Sequence, residues 1–200
     1  MPEPTRQPEY GVSPIFIDRW SPRAFTGESI SEEELLTIIE AGRWAPSAFN
    51  LQPWRFIYAR ADTPAWLPLF ATLNAFNQSW AQRASALLII ASANSAQVPG
   101  AAAPAHNASH EFDTGSAWGY VALQASLLGW HAHGIAGFDK DLARSSLGIP
   151  ADYTVQAAVA IGRRSEDKSF LSVSLQSREA PSSRLAMKAI AAEGKFGFGS

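Results

Sequence analysis

The chain has 200 residues, of which 46% are hydrophobic and 17% charged, and its formal net charge is −2 at pH 7. This length predicts one domain, and the near-neutral charge gives no general reason to expect nucleic acid or a membrane as a partner. The chain contains no cysteine, which excludes disulfides, thiol redox chemistry and iron–sulfur ligation. No segment is long and apolar enough for a membrane span, and residues 1–6 lack the apolar core of a signal peptide, so we expect a cytoplasmic protein.

The first predicted helix begins at a capping motif. Ser31 is followed three residues later by Glu34, the spacing of a capping box, and apolar residues then recur at helical spacing over residues 35–42. Pro46 disfavours helical geometry in the residue before it, so the helix should end near Ala45. A polar turn therefore follows directly after a helix end.

The next hundred residues alternate between strand and helix patterns. Residues 54–59 alternate in polarity and are rich in aromatics, which predicts a strand. Residues 65–83 carry apolar side chains at helical spacing and predict one helix. Residues 86–91 form a short apolar run typical of a buried strand, and residues 94–112 lack periodicity, which predicts a long loop.

The longest predicted helix covers residues 113–133. It is apolar nearly all round, which predicts burial and, in a chain of this length, a place at a subunit interface. Residues 134–139 then predict a loop, residues 140–148 a short helix and residues 153–161 a strand, with a further helix possible at 183–193. Interspersed strands and helices indicate an α+β or α/β sheet with helices packed on it.

A basic cluster precedes the first predicted helix. Arg19, Ser21 and Arg23 would lie on one side of an extended segment, with Trp20 between them. Guanidinium groups match the oxygens of a phosphate, and the hydroxyl adds a donor. The cluster predicts a phosphate site; the alternative interpretation is a solvated basic loop.

The polar turn has a different composition. Ser47, Asn50 and Gln52 lie between two prolines, Pro46 and Pro53. Amide side chains offer both a donor and an acceptor, so they suit the polar edge of a flat heterocycle. The alternative is an ordinary turn that joins a helix to a strand.

These two segments together resemble the flavin-binding signature of the nitroreductase family. The matching residues are Arg19-Trp20-Ser21-Pro22-Arg23-Ala24-Phe25 and Ala45-Pro46-Ser47-Ala48-Phe49-Asn50-Leu51-Gln52-Pro53-Trp54. The resemblance runs from about Asp18 to Arg164. It implies an α+β fold of the nitroreductase type, with a central, mainly antiparallel sheet flanked by helices and a long buried helix at a homodimer interface. It also implies one domain over residues 1–200, with a core at about 15–164 and a C-terminal arm at 165–200.

The resemblance further implies that FMN is bound, contacted by both subunits of the homodimer. Its phosphate would lie against Arg19, Trp20, Ser21 and Arg23, and either Arg163 or Arg164, after the last strand, would complete the phosphate site. The ring and ribityl chain would contact the turn, at Pro46, Ser47, Ala48, Asn50 and Gln52. A backbone N–H of Ala136 or Gly137 would point at flavin N5.

The implied activity is reduction of electron-poor small molecules, such as nitroaromatics or quinones, by NAD(P)H. Hydride would pass to FMN and then to the acceptor in ping-pong order, with no side chain acting as acid or base. Three alternatives remain open: flavin chemistry of another kind, such as dehalogenation or oxygen-dependent flavin breakdown; a non-catalytic flavin-binding or sensory dimer; and a nucleotide-phosphate-binding module without flavin.

The four histidines do not predict a metal site. His131 and His133 flank one residue, but on the predicted helix they would point to different faces. No set of spaced carboxylates joins them. His106 and His110, in the long loop, either border a substrate opening or are solvated.

Overall fold

A computed structural model describes residues 6–100 and 102–198. Its six strands, in chain order, are β1 (Trp54–Arg60), β2 (Ala86–Ala93), β3 (Ser95–Ala96), β4 (Ala105–His106), β5 (His131–Ile135) and β6 (Tyr153–Gly162). The main sheet has the order β1-β2-β6-β5, and every neighbouring pair is antiparallel. The short strands β3 and β4 pair separately. The predicted α+β class and antiparallel sheet are confirmed.

Helices cover both faces of this sheet. They are α1 (Pro14–Asp18), α2 (Glu32–Arg43), α3 (Trp66–Phe70), α4 (Ala75–Ala81), α5 (His110–Leu127), α6 (Lys140–Ser146) and α7 (Val173–Gln176), with 3₁₀ turns at Ala48–Asn50 and Met187–Ala189. The predicted capping box starts α2: the Glu34 N–H donates to Ser31 Oγ over 3.1 Å, and the Ser31 N–H donates to the Glu34 carboxylate over 3.3 Å. Among the described residues, no helix is both long and apolar enough to cross a lipid bilayer.

The core lies on both sides of β2, whose successive side chains point to opposite faces. Leu87 and Ile89 pack in the cluster that includes residues of α3, α4, α6 and α7. Leu88 and Ile90 pack with α2 and α5 on the other face. Gly42 lets α2 lie close to α5, because a Cβ there would meet Val121 Cγ2 at 2.8 Å. Burial on both faces explains why β2 is a continuous apolar run rather than an alternating one.

The prediction of one helix over residues 65–83 is wrong. The structure has two short helices, α3 and α4, separated at Asn74. The Asn74 N–H donates to the Gly137 carbonyl over 3.2 Å, and its side chain accepts the Asn77 N–H over 2.9 Å as the N-cap of α4. Helical spacing continues through the break, so the spacing alone does not reveal the tertiary contact at Asn74 that separates the two helices.

The prediction of one helix over residues 113–133 is also wrong at both ends. Helix α5 begins at His110 and ends at Leu127. Gly129 adopts a left-handed φ of 74°, which favours glycine, and the Trp130 N–H donates to the Ala125 carbonyl over 2.8 Å. The chain then reverses into β5, where His131 and His133 lie on a strand. Alternate residues of a strand share a face, so the argument from helical geometry does not apply to this pair.

The remaining predictions differ less from the structure. The strands predicted at 54–59, 86–91 and 153–161 are present. In the described part of residues 94–112, the β3–β4 pair comes first and α5 begins at His110. The helix considered at 183–193 is reduced to the 3₁₀ turn at Met187–Ala189.

Candidate functional site

The basic cluster opens onto a cavity of about 480 Å³. The cavity lies between the 19–23 segment, strand β5 and the segment that follows α7. Among the described residues it is lined by Arg19, Trp20, Ser21, Arg23, His133, Ser177, Arg178, Ala180, Ser182 and Arg184. Four of these side chains are guanidinium groups and none is a carboxylate, so the cavity is strongly positive.

Backbone contacts fix the 19–23 segment beside the end of β6. Phe25 is fully buried and forms an isolated antiparallel bridge with Arg164. A Cβ at Gly162 would meet the Phe25 ring at 2.7 Å, so glycine makes room for this ring. One oxygen of Glu179 accepts the N–H groups of Arg23 and Ala24, over 2.7 Å and 2.8 Å. The N-terminal and C-terminal segments therefore meet at one edge of the sheet.

Burial and mutual repulsion lower the pKa values of two arginines in this cluster. Burial lowers the pKa of Arg19, and the neighbouring charges of Arg6 and Arg184 lower it further. Burial also lowers the pKa of Arg23, with a contribution from Arg178 and an opposing one from Glu179. A bound anion would relieve this repulsion, because it favours the charged form of each guanidinium.

His133 lies at the back of the cavity as a neutral imidazole. Its Nδ1–H donates to the Pro22 carbonyl over 2.9 Å, and its ring centroid lies 4.7 Å from that of buried Trp80. Burial lowers the pKa of His133 to about 4; the hydrogen bond to Pro22 opposes this shift, and Arg23 and Arg19 add to it. The imidazole therefore adds no charge to the cavity at neutral pH.

A chain of contacts joins this cavity to the predicted N5 loop. The Trp80 indole N–H donates to Asn77 Oδ1 over 3.1 Å, and Asn77 Nδ2 donates to the Gly137 carbonyl over 2.8 Å. A Cβ at Gly137 would lie 2.6 Å from the side-chain nitrogens of both Asn74 and Asn77. Ala136 precedes it in the same loop. Sequence reasoning missed the two asparagines, because residues 65–83 carried only a helical signal.

The structure does not bring Arg163 or Arg164 into the cavity. The Arg163 guanidinium lies 4.2 Å from the Trp130 ring centroid and donates to the Leu128 carbonyl over 3.1 Å, with Glu28 and Glu34 within 4 Å. Arg164 pairs with Glu166. The basic residues that join Arg19 and Arg23 are instead Arg178 and Arg184, which lie in a Ser-rich segment without a core pattern.

The polar turn is held in an uncommon backbone conformation. Phe49, Asn50 and Gln52 have left-handed φ angles of 50°, 55° and 49°. Ser47 Oγ accepts the Gln52 N–H over 3.0 Å, and the Gln52 side chain donates to the Asn50 carbonyl over 3.0 Å. Pro46, Ala48, Phe49 and Asn50 are exposed. No residue of the turn lines the cavity, so within one chain the two predicted halves of the site lie apart.

The described residues hold no group of three or more His, Asp or Glu side chains placed to hold a metal ion. His110 contacts Ser92 Oγ through Nδ1 over 2.7 Å and is buried, whereas His106 is exposed. Neither histidine lines the cavity.

The chain is similar in sequence and fold to known proteins. The family model described as Nitroreductase family matches residues 17–64, which include both predicted segments. A crystal structure described as an oxidoreductase containing FMN is 45% identical, with a TM-score of 0.93 over 100% of both chains. A protein from Exiguobacterium sibiricum whose crystal structure is a complex with FMN is 25% identical, with a TM-score of 0.70 over 94% of this chain and 99% of its own. An NADH dehydrogenase of Thermus thermophilus is 29% identical, over 76% of this chain and 85% of its own.

The neutral state of His133 predicts a pH dependence of folding. Its pKa of about 4 lies below the ordinary value of 6.5, so between these pH values the unfolded chain binds a proton that the folded chain does not. We therefore expect stability to fall as the pH drops through this window, by about 2 kcal/mol from this group. Urea unfolding of the wild type and His133→Gln at pH 7 and pH 4.5, in phosphate-free buffer, measures the difference. Equal losses in the two proteins would contradict burial of a neutral imidazole.

Proposed function

The chain belongs to the nitroreductase family, and on this premise we propose that it is an FMN-dependent oxidoreductase that uses NAD(P)H to reduce electron-poor small molecules. The observation that carries the proposal is the cavity with four guanidinium groups, which joins the predicted Arg19, Ser21 and Arg23 to Arg178 and Arg184. Its relatives include proteins described as containing FMN or as NADH dehydrogenases.

The residues of the cavity fit the phosphate end of FMN. Guanidinium groups and hydroxyls are donors that phosphate oxygens accept, and no acidic side chain lines the cavity to compete for them. Burial and the neighbouring guanidinium groups lower the pKa values of Arg19 and Arg23, and a bound phosphate would favour the charged form of both side chains. We infer that Arg19, Arg23, Arg178 and Ser21 hold the phosphate.

The protein's contribution to the reaction is to bind and orient. FMN, when bound, supplies two-electron redox chemistry, so that NAD(P)H and the acceptor can react in turn at one site, in ping-pong order. Asn74 and Asn77 donate to the Gly137 carbonyl and would hold the 136–137 backbone beside the ring. His133 donates to the Pro22 carbonyl and so fixes the 19–23 segment. It would not exchange a proton with the substrate. No side chain need act as an acid or a base.

We propose that the active form is a homodimer in which the polar turn of one subunit completes the cavity of the other. The turn does not line the cavity of its own chain, and the aromatic Phe49 on it is 70% exposed. Helix α5 exposes Phe112, Tyr120 and Leu127 on one side, with Phe112 84% exposed. Apolar area of this kind on a helix marks a surface that a partner covers.

Residues 165–200 would then act as an arm of a single domain, since the Glu179 side chain accepts the N–H groups of Arg23 and Ala24.

The first test is the visible absorption spectrum of the purified protein before and after anaerobic addition of NADPH or NADH. We expect a flavin spectrum that bleaches with one of these reductants. A flavin that neither reductant bleaches would favour the sensory or non-nicotinamide alternatives. A colourless protein that takes up no added FMN would refute the proposal.

Replacing Arg23 with Ala should weaken FMN binding by about 10- to 100-fold, because a charge-assisted contact with the phosphate is lost. Arg178→Ala should behave similarly. Fluorescence titration of apoprotein with FMN measures both. Arg60→Ala is the matched control. Arg60 is the last residue of β1, pairs with Asp62 and does not line the cavity.

Unchanged affinity in Arg23→Ala would remove the phosphate assignment. Arg163→Ala examines the earlier prediction directly: a loss as large as that of Arg23→Ala would place Arg163 in the phosphate site as well, against its position beside Trp130.

If the protein is a homodimer, we expect its mass in solution to be twice the chain mass of 21.5 kDa. Leu127→Glu should shift the protein towards the monomer, because it places a charge in the apolar contact. Leu67→Glu is the control, since Leu67 has similar exposure but lies on α3, against the other face of the sheet. A wild-type monomer in analytical ultracentrifugation, or equal effects of the two substitutions, would contradict this interface.

A further inference from the structure

The polar turn is unusual because three of its non-glycine residues are left-handed. Such φ values are uncommon for residues other than glycine, although asparagine adopts them several-fold more often than most. Phe49 and Gln52 gain no such tolerance from their side chains. A conformation of this kind persists only where surrounding contacts determine it.

Hydrogen bonds within the turn stabilise part of this backbone conformation. The Asn50 and Leu51 N–H groups donate to the Ser47 and Ala48 carbonyls, each over 3.0 Å. These contacts are local and would move with the turn. They therefore do not fix the turn relative to the rest of the molecule.

Two side chains outside the turn contact its backbone: Arg55 of β1 donates to the Gln52 carbonyl over 3.0 Å, and a buried carboxylate of α5 accepts an N–H directly before the left-handed part. Asp113 lies in the first turn of α5 and is 4% exposed. Its Oδ2 accepts the Ala48 N–H over 3.1 Å, across 65 residues of sequence. The same oxygen accepts the Ser109 hydroxyl over 2.8 Å. A hydrogen bond to an ionised acceptor is stronger than one between neutral groups.

The same carboxylate connects the turn with the loop that precedes α5. Ser109 donates its N–H to Asn107 Oδ1 over 3.2 Å, and the Asn107 N–H donates to the Asn94 carbonyl over 2.9 Å. The position of the turn is thereby coupled to the 94–109 loop through one buried charge.

We propose that Asp113 is a positioning residue that holds the 47–52 turn in its left-handed conformation and so sets the turn's affinity for the flavin. The effect on flavin rests on the proposed function, whereas the effect on the turn does not. Asp113 does not line the cavity, and it contacts residues 47–52 through the Ala48 backbone. It acts through the Ala48 amide.

The test is Asp113→Asn, which keeps the shape of the side chain and removes its charge. In the apoprotein we expect the Ala48 and Gln52 amides to exchange with solvent about tenfold faster, measured by NMR, while amides in β2 and β6 keep their rates. In the FMN titration we expect the Kd to rise about tenfold. Glu111→Gln is the matched control: it removes one negative charge from the same first turn of α5, but its carboxylate contacts Gln156 rather than the turn.

Unchanged exchange at Ala48 in Asp113→Asn would overturn the proposal. Faster exchange with an unchanged Kd would overturn its link to the flavin. If the wild type binds no FMN, the proposed function fails, and the exchange rates still decide whether Asp113 holds the turn.

Discussion

The site depends on one contact between chain segments that are distant in sequence: the Glu179 carboxylate accepts two N–H groups of the 19–24 segment. This contact brings Arg178 and Arg184 beside Arg19 and Arg23. The four guanidinium groups share a cavity that no acidic side chain lines, and a bound anion would relieve their mutual repulsion. The remainder of the fold supplies a rigid edge to which both segments attach.

The architecture also explains why one chain holds the two motifs apart. Helix α2 ends at Arg43, close to the N-terminal half of α5, and the turn follows directly. The basic segment is instead bonded to the end of β6, where the Thr26 N–H donates to the Arg163 carbonyl. The arrangement suits a symmetric pair, in which each chain offers its turn to the cavity of the other.

Much of the fold could be predicted because local patterns and tertiary structure agree. The capping box at Ser31 and the apolar run of β2 are examples. Prediction failed where a distant group decides the outcome. Helical spacing continues across Asn74, but the Asn74 N–H donates to the distant Gly137 carbonyl and its side chain caps a new helix. The role of Arg163 stays a prediction: within one chain its guanidinium lies beside Trp130 and two glutamates rather than in the cavity. Arg178 carries no periodic signal, and only the Glu179 contact reveals its place.

The Arg23–Glu179 hydrogen bond spans 156 residues of sequence, which has a consequence for how the protein matures. During synthesis the sheet can assemble once β6 has emerged, since its last strand ends at Gly162. The cavity cannot form until the segment after α7 has also left the ribosome, because Arg178 and Arg184 line it. Contacts of such long range are among the latest to form. Leu171 and Leu175 of the C-terminal segment also belong to one of the core clusters. That side of the core and the cavity are therefore completed together, after the sheet.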